Sequence, residues 1–352
     1  MIQTDNLNIV NFEALSPPAI IKGELPLTSS AADTVVAGRA DIRNILSHRD
    51  PRFLVIAGPC SIHDREGALA YARKLRELGD EVSDRIVTVM RVYFEKPRTT
   101  LGWKGLIYDP LLDGSDDIEK GLRLAREILL RINELGLPAA TEILEPVIPQ
   151  YITDLVSWAA IGARTAESQT HRQMASGLSM PIGFKNATDG STRVAIEAIR
   201  TASSPHSFIG ITNDGRAGLF RTGGNVYGHL VLRGGANGPN YEAEYIAYSR
   251  ELMRRHGLVP NVIVDCSHGN SRKRADRQPA VVRNVVSQHV SGAGDCIVGV
   301  MLESNLTGGR QPFPETGRAA TTGVSVTDDC LGWEETAACI REVYESLAGM
   351  RT

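Results

Sequence analysis

The chain has 352 residues, 42% of them hydrophobic, and a formal net charge of −3 from 38 basic and 41 acidic side chains. That length supports one large domain with a substantial core, and the near-neutral balance excludes a global basic field for nucleic acid or a membrane surface. Cys60, Cys266, Cys296, Cys330 and Cys339 are an odd, dispersed set, no apolar run is long enough to span a bilayer, and no secretory leader is visible, so a reduced, cytoplasmic protein is expected.

Residues 1–48 stand outside any strand and helix rhythm. Ser16-Pro17-Pro18 and Leu25-Pro26 interrupt it, and Leu7, Ile9 and Val10 are scattered apolar residues. This segment is expected to be an N-terminal arm that packs on the rest of the chain or on a neighbouring subunit, with residues 49–352 forming the main unit. From Phe53 onward short apolar runs recur: Phe53 to Ala57, Ile86 to Met90, Ala139 to Ile143, Ala160 to Ala163, Pro181 to Phe184, His229 to Leu232, Val262 to Asp265 and Ile297 to Met301. Continuous runs of this length suit parallel strands buried on both faces. Amphipathic stretches fill the intervals, for example one opened by Ser115-Asp116-Asp117, carrying Ile118, Leu122 and Ala125, and closing near Leu135-Gly136. Phe208 to Ile211 and Ala217 to Phe220, joined through Asn213-Asp214-Gly215, predict a β-hairpin over about 207–222, inserted before the sixth of these strands. The whole predicts an α/β fold, a (β/α)8 TIM barrel with an N-terminal arm and an inserted hairpin.

The runs end in reactive or charged side chains: Cys60 and His63 after the first, then Arg91 and Lys96, Glu142, Arg164, Lys185, Arg233, His268 and Glu303. In such a barrel the C-terminal strand ends form the active-site rim. Cys60, His268, Glu303 and Asp328 would meet there and offer a thiolate, an imidazole and two carboxylates to one divalent cation. This mixed donor set fits an open, exchangeable site for Mn²⁺, Fe²⁺, Co²⁺ or Zn²⁺ better than a closed structural zinc site. Taken singly, Cys60 also reads as a packed small residue, His268 as a phosphate donor and Asp328 as the N-cap of the last helix, near Trp333. The cations Arg91, Lys96, Arg98, Arg164, Lys185 and Arg233, with Thr99 beside Arg98, would repel one another on one rim unless anions sit among them. They point to two phosphorylated substrates, at least one also a carboxylate.

Gly58-Pro59-Cys60-Ser61-Ile62-His63-Asp64, Arg91 to Thr100, Ile161-Gly162-Ala163-Arg164-Thr165, Gly183-Phe184-Lys185-Asn186, Leu232-Arg233-Gly234-Gly235, Asp265 to Asn270 and Val324 to Asp328 resemble, nearly end to end, the type I 3-deoxy-D-arabino-heptulosonate 7-phosphate (DAHP) synthases of bacteria and fungi. Ala166 and Ala187 depart from the usual Thr and Gly of that pattern. The resemblance implies a metal-dependent condensation of phosphoenolpyruvate with erythrose 4-phosphate, the first step toward the aromatic amino acids. It implies that Cys60, His268, Glu303 and Asp328 bind the metal, that Arg91, Lys96, Arg164, Lys185, Arg233 and His268 hold phosphoenolpyruvate with Lys96 beside the reacting carbons, and that Arg98 and Thr99 take erythrose 4-phosphate. It further implies dimers or tetramers and feedback inhibition by an aromatic amino acid, in a pocket matched here by Pro146, Gln150, Ser179, Phe208 and Gly210, with Asp5, Leu7 and Ile9 from the arm. Glycine at position 210 favours tyrosine as that effector. Rival readings are a Schiff-base aldolase using Lys185 or Lys96, a synthase using arabinose 5-phosphate, and a non-catalytic phosphate-binding barrel.

Overall fold

In the computed structural model, which describes residues 4–98, 100–314 and 320–349, two helices come first, α1 (Pro18–Glu24) and α2 (Ser29–Leu46). Strands β1 (Phe53–Gly58), β2 (Ile86–Arg91), β3 (Ala139–Ile143), β4 (Trp158–Ile161) and β5 (Ile182–Lys185) follow. They alternate with α3 (Arg65–Glu81), α4 (Ile118–Glu134), α5 (Pro149–Ile152) and α6 (Gln169–Ala175). After α7 (Arg193–Ala202) come the antiparallel pair β6 (Ser207–Ile211) and β7 (Ala217–Arg221), then β8 (Gly228–Leu232), α8 (Ala243–Arg255), β9 (Val262–Asp265), α9 (Gln278–Val290), β10 (Ile297–Glu303) and α10 (Trp333–Leu347). Eight parallel strands close in the order β1-β10-β9-β8-β5-β4-β3-β2, and β6-β7 stands apart as the expected hairpin.

The two-residue alternation of each strand sorts its side chains into two apolar clusters. Phe53, Val55 and Ala57 pack outward among the helices, while Leu54, Ile56, Val87, Val89, Ala140, Val231 and Ile263 fill the interior. Continued along the strands, the interior parity reaches Arg91, Glu142, Lys185, Asp265 and Glu303 at the strand ends, so a charged layer lies above an apolar one. Gly183 is small for a reason: a Cβ there would stand 2.4 Å from Trp158 Cζ2 and 2.6 Å from Val231 Cγ2. Helix α4 opens where the sequence places it, with the Asp117 carboxylate accepting from Lys120 N at 3.1 Å. The hairpin turn has Gly215 at φ 74°, the left-handed conformation its Asp-Gly signal requires.

Two local expectations change. The segment read as an arm holds α1 and α2, and Ile42, Ile45 and Leu46 of α2 join the interior cluster, so this helix closes the N-terminal end of the barrel. Strand β4 covers Trp158–Ile161, two residues earlier than the predicted run, because Trp158 is a fully buried interior residue whose Nε1–H donates to His229 Nε2 at 2.9 Å. Arg164 therefore sits in the turn after β4, within the loop closed by the Thr165 N to Gly162 O bond of 3.0 Å, instead of at the strand tip. No described helix is long and apolar enough to cross a membrane.

Candidate active site

The C-terminal ends of the strands surround a cleft of about 230 Å³ lined by Arg91, Lys96, Arg98, Arg164, Lys185 and Arg233, together with His268 and Asp328. The six cations grouped from sequence are thus brought together, and Tyr93, Glu95, Glu142 and Lys273 join them. Thr99 lies outside the described residues.

One wall is a donor cluster. Ligand atoms of Cys60, Glu303 and Asp328 all lie within 4.8 Å of one another, contributed by the loop after β1, the end of β10 and the loop before α10. His268 Nε2 is 3.5 Å from Glu303 Oε1, and its Nδ1 is 2.9 Å from Asp265 Oδ2 and 2.7 Å from Ser267 Oγ. A buried carboxylate on Nδ1 orients an imidazole so that Nε2 can serve a metal. The N-cap of α10 is Gly332, so Asp328 is not that cap. Burial, and after it the Glu303 carboxylate, push the Cys60 thiol up to about 11, with Lys96 pulling the other way. A divalent cation among these groups would reverse that balance, since a coordinating thiol gives up its proton. The two carboxylates, thiol and imidazole therefore form a donor set that fits such an ion.

The other wall is cationic. Lys96 Nζ lies 3.0 Å from Cys60 Sγ and 3.9 Å from Asp328 Oδ2. Burial favours its neutral amine, but Cys60, Glu303 and Asp328 outweigh that and hold Lys96 as an ammonium above the usual lysine range. Arg91, 1% exposed, donates to Glu303 Oε1 at 2.9 Å, to the Pro59 carbonyl at 3.1 Å and to the Cys60 carbonyl at 3.2 Å, and its guanidinium lies 3.6 Å from the Tyr93 ring centroid. It therefore braces two members of the donor cluster as well as lining the cleft. Lys185 pairs with Glu142, both buried. Burial opposes ionisation of Glu142, yet Lys185 holds its carboxyl below the ordinary range. The Arg233 backbone N–H donates to Asn186 Oδ1 at 2.7 Å, tying the ends of β5 and β8 together. Arg98 is exposed, its Nε held by the Trp103 carbonyl at 2.7 Å.

Sequence reasoning left Asp265, Tyr93, Glu95 and Lys273 without roles, although Asp265 stands three residues before His268. Glu95 is buried, and its two oxygens accept from Leu144 N at 3.3 Å and Glu145 N at 3.1 Å. Burial dominates these bonds and raises its carboxyl to about 8.

The residues matched to an effector pocket lie elsewhere. Pro146 and Gln150 flank the start of α5, and the Ser179 carbonyl accepts from Arg43 at 2.5 Å. Phe208 stacks on Phe220 across the hairpin at 5.7 Å, and a Cβ on Gly210 would lie 3.1 Å from the Phe220 ring. Asp5 is exposed ahead of α1, as are Leu7 and Ile9 at 68% and 58%.

Comparison with known proteins gives this geometry a family. The sequence model of the DAHP synthetase I family matches residues 26–341. The chain is 51% identical over 345 residues to the Tyr-sensitive phospho-2-dehydro-3-deoxyheptonate aldolase of Salmonella typhimurium, covering 98% of this chain and 96% of that one. It is 48% identical over 349 residues to the Phe-sensitive enzyme of Escherichia coli, covering 99% of each. Among solved structures, phospho-2-dehydro-3-deoxyheptonate aldolase from Francisella tularensis aligns with a TM-score of 0.95 at 44% identity, over 98% of this chain and 100% of that one. A closed eight-stranded barrel with these side chains at its strand ends, matched over nearly its whole length, belongs to the DAHP synthetase I family.

Proposed function

We propose that this chain condenses phosphoenolpyruvate with D-erythrose 4-phosphate and water to give DAHP and inorganic phosphate. The observation that carries the reading is the convergence, at one cleft, of a thiol and two carboxylates, with His268 Nε2 3.5 Å from one of those carboxylates, and of cations drawn from separate strand ends. Cys60, His268, Glu303 and Asp328 would hold one divalent ion (Mn²⁺, Fe²⁺, Co²⁺ or Zn²⁺). When bound, such an ion acts as a Lewis acid toward an aldehyde oxygen.

The chain's own residues account for the rest. Arg91, Arg164, Lys185 and Arg233 bind and orient phosphoenolpyruvate, and Arg98 and Thr99 hold the phosphate end of erythrose 4-phosphate, so that C3 of the enol meets the aldehyde carbon. As the new carbon–carbon bond forms, the Lys96 ammonium gives its proton to the developing alkoxide. Water then adds at C2 of the resulting cation and releases one proton, which offsets the proton Lys96 gave up. The hemiketal collapses to the ketone as phosphate departs with the C–O bond electrons and the remaining proton. A Schiff-base aldolase needs an unprotonated amine. Here Lys185 is paired with a buried carboxylate and Lys96 Nζ lies against Cys60 Sγ and Asp328 Oδ2, contacts that suit an ammonium and weigh against that rival. Phosphoenolpyruvate consumption measured with erythrose 4-phosphate, with arabinose 5-phosphate and with chelator tests the reading. Turnover only with erythrose 4-phosphate, lost to chelator and not trapped by borohydride, is expected; borohydride trapping on a lysine would overturn it.

Feedback inhibition by tyrosine is part of the proposal, supported by the Tyr-sensitive relatives and by Gly210. The effector pocket would combine Pro146, Gln150, Ser179, Phe208 and Gly210 with Asp5, Leu7 and Ile9 of another subunit in a dimer or tetramer. A serine at 210 would crowd the Phe220 ring and fill the space for a phenolic oxygen. Gly210→Ser is therefore expected to shift preference from tyrosine toward phenylalanine, and removal of residues 1–10 to abolish inhibition while sparing turnover. An unchanged inhibitor preference in Gly210→Ser would reject this pocket.

A further inference from the structure

The geometry points to Lys273 as a further substrate-binding residue, one that takes the phosphate of the aldose phosphate at the open end of the cleft. This rests on the function proposed above and adds a residue to it.

Three observations carry it. First, Lys273 lines the cleft beside His268 and Asp328, yet it is solvent-exposed, like Arg98, whereas Arg91 and Lys185 are buried. Arg91 and Lys185 lie deep and Lys96 and Arg233 are half-buried, while Lys273 is exposed at the mouth together with Arg98 and Arg164, where the far end of a second, longer substrate would lie.

Second, the loop that carries Lys273 is strained and firmly held. Arg272 and Lys273 have φ of 54° and 59°, a left-handed conformation that L residues adopt at a cost and that clusters at binding sites. Lys273 N donates to the His268 carbonyl at 2.7 Å, Arg272 N to Gly269 O at 3.1 Å and Gly269 N to Arg233 O at 3.0 Å. Asn270 Nδ2 donates to Leu232 O and Asp265 O, and Ala275 N to Asp329 Oδ2 at 3.1 Å. The loop is thus fastened to the ends of β8 and β9 and to the segment that contributes Asp328.

Third, the Lys273 charge has no ionic partner among the described residues. Arg274 nearby is paired with Asp276 at 2.5 Å, but among the described residues no carboxylate lies within 4.0 Å of the Lys273 ammonium. Its charge still reaches Asp328, where it is among the weaker influences that help Lys96 hold that carboxyl low against burial. A cation held in a strained loop, facing a cleft without a carboxylate of its own, suits an incoming anion.

The test compares Lys273→Met and Lys273→Arg with the unsubstituted enzyme. In Lys273→Met the KM for erythrose 4-phosphate should rise about tenfold or more, the scale of one lost charge-assisted contact, with the KM for phosphoenolpyruvate within about twofold. The Kd of erythritol 4-phosphate, an unreactive alcohol, measured by calorimetry with Mn²⁺ and phosphoenolpyruvate bound, should rise in parallel, and Lys273→Arg should recover most of the loss. Unchanged constants, equal weakening of both substrates, or loss of bound Mn²⁺ in Lys273→Met would each overturn the assignment. So would an effect on kcat/KM that vanishes with added salt and leaves the erythritol 4-phosphate Kd untouched, which marks diffusional steering. If the unsubstituted enzyme makes no product from these substrates, the proposed function is what fails, and the erythritol 4-phosphate Kd still reads Lys273 directly.

Discussion

The two ends of the barrel are built from the same strands and solve opposite problems. At the C-terminal end the inward positions carry Arg91, Glu142, Lys185, Asp265 and Glu303, all buried, with Arg91 paired to Glu303, Lys185 to Glu142, and Asp265 set against the His268 imidazole. At the N-terminal end they carry Leu54, Val87 and Trp158, closed by Ile42, Ile45 and Leu46 of α2. The fully buried polar contacts there are neutral, Trp158 to His229 and Asn261 Nδ2 to the Leu46 carbonyl at 2.8 Å, while the charged pairs of Arg52 with Asp41 and Asp50 lie at the partly exposed edge. Burying charge costs several kcal/mol per ion and the pairing only roughly repays it, whereas apolar burial contributes net stability. The floor therefore stabilises a rim that contributes little stability of its own but presents an oriented field to ligands.

The sharpest way to break this comparison is at the donor cluster. Cys60→Ala or His268→Ala should leave a folded barrel, because the apolar floor is untouched, yet remove bound metal and lower turnover by more than the roughly hundredfold that loss of a ligand's supporting partner can cost. Metal analysis beside circular dichroism checks this. Chelation of the unsubstituted enzyme should have the same effect and be reversed by a divalent cation. A folded Cys60→Ala protein with full metal and activity would remove the cluster from the mechanism.

A second test asks whether rim pairs are costly to split. Lys185→Met strands the buried Glu142 carboxylate and should destabilise by about 3–5 kcal/mol, much of it recovered when Glu142→Gln is added. Trp158→Phe on the floor removes one neutral hydrogen bond, worth about 1 kcal/mol net, plus a small packing defect. Urea unfolding of these variants at neutral pH decides it. If Lys185→Met costs no more than Trp158→Phe, the two ends do not differ in the way argued.

What was legible in the sequence follows from this division. Rim residues end continuous apolar runs, so each strand tip announces itself locally, and the barrel, the hairpin and the positions of Cys60, Lys96, Lys185, Arg233, His268 and Glu303 could be read there. Floor residues give no such signal. The apolar positions of α2 are diluted by Ala, Ser and Asp and face strands distant in sequence, so the helix was read as part of an arm. Trp158 and His229 meet across 71 residues, and neither carries a local mark of the other. Arg164 was placed at a strand tip because the Trp158 end of β4 was missed. The partners of rim groups were equally hidden: Glu142 was visible as a strand end but not as the counter-ion of Lys185, and Asp265 not as the group that orients His268.

A last test lies on the floor and depends on pH. His229 is fully buried, and burial lowers its pKa to about 4, with the bond to the Tyr227 carbonyl opposing only weakly. In the unfolded chain the imidazole titrates near its ordinary value of about 6.5, so between these values the unfolded state binds the extra proton. Stability from this residue is therefore complete above about pH 6.5, falls as pH drops toward about 4, and changes no further below it, a total of about 3 kcal/mol. The Trp158 indole acts in the same direction as burial: its N–H needs an unprotonated Nε2 as acceptor, and an imidazolium would set two donors against each other. His229→Gln can keep an acceptor for Trp158 without titrating. Unfolding free energies of both proteins between about pH 4.5 and 7.5 should then show a difference that shifts in favour of the variant as pH falls, while carboxylate titrations common to both cancel. A difference independent of pH would mean that the floor is indifferent to protonation, and that the contrast between a neutral floor and a charged rim does not extend to this histidine.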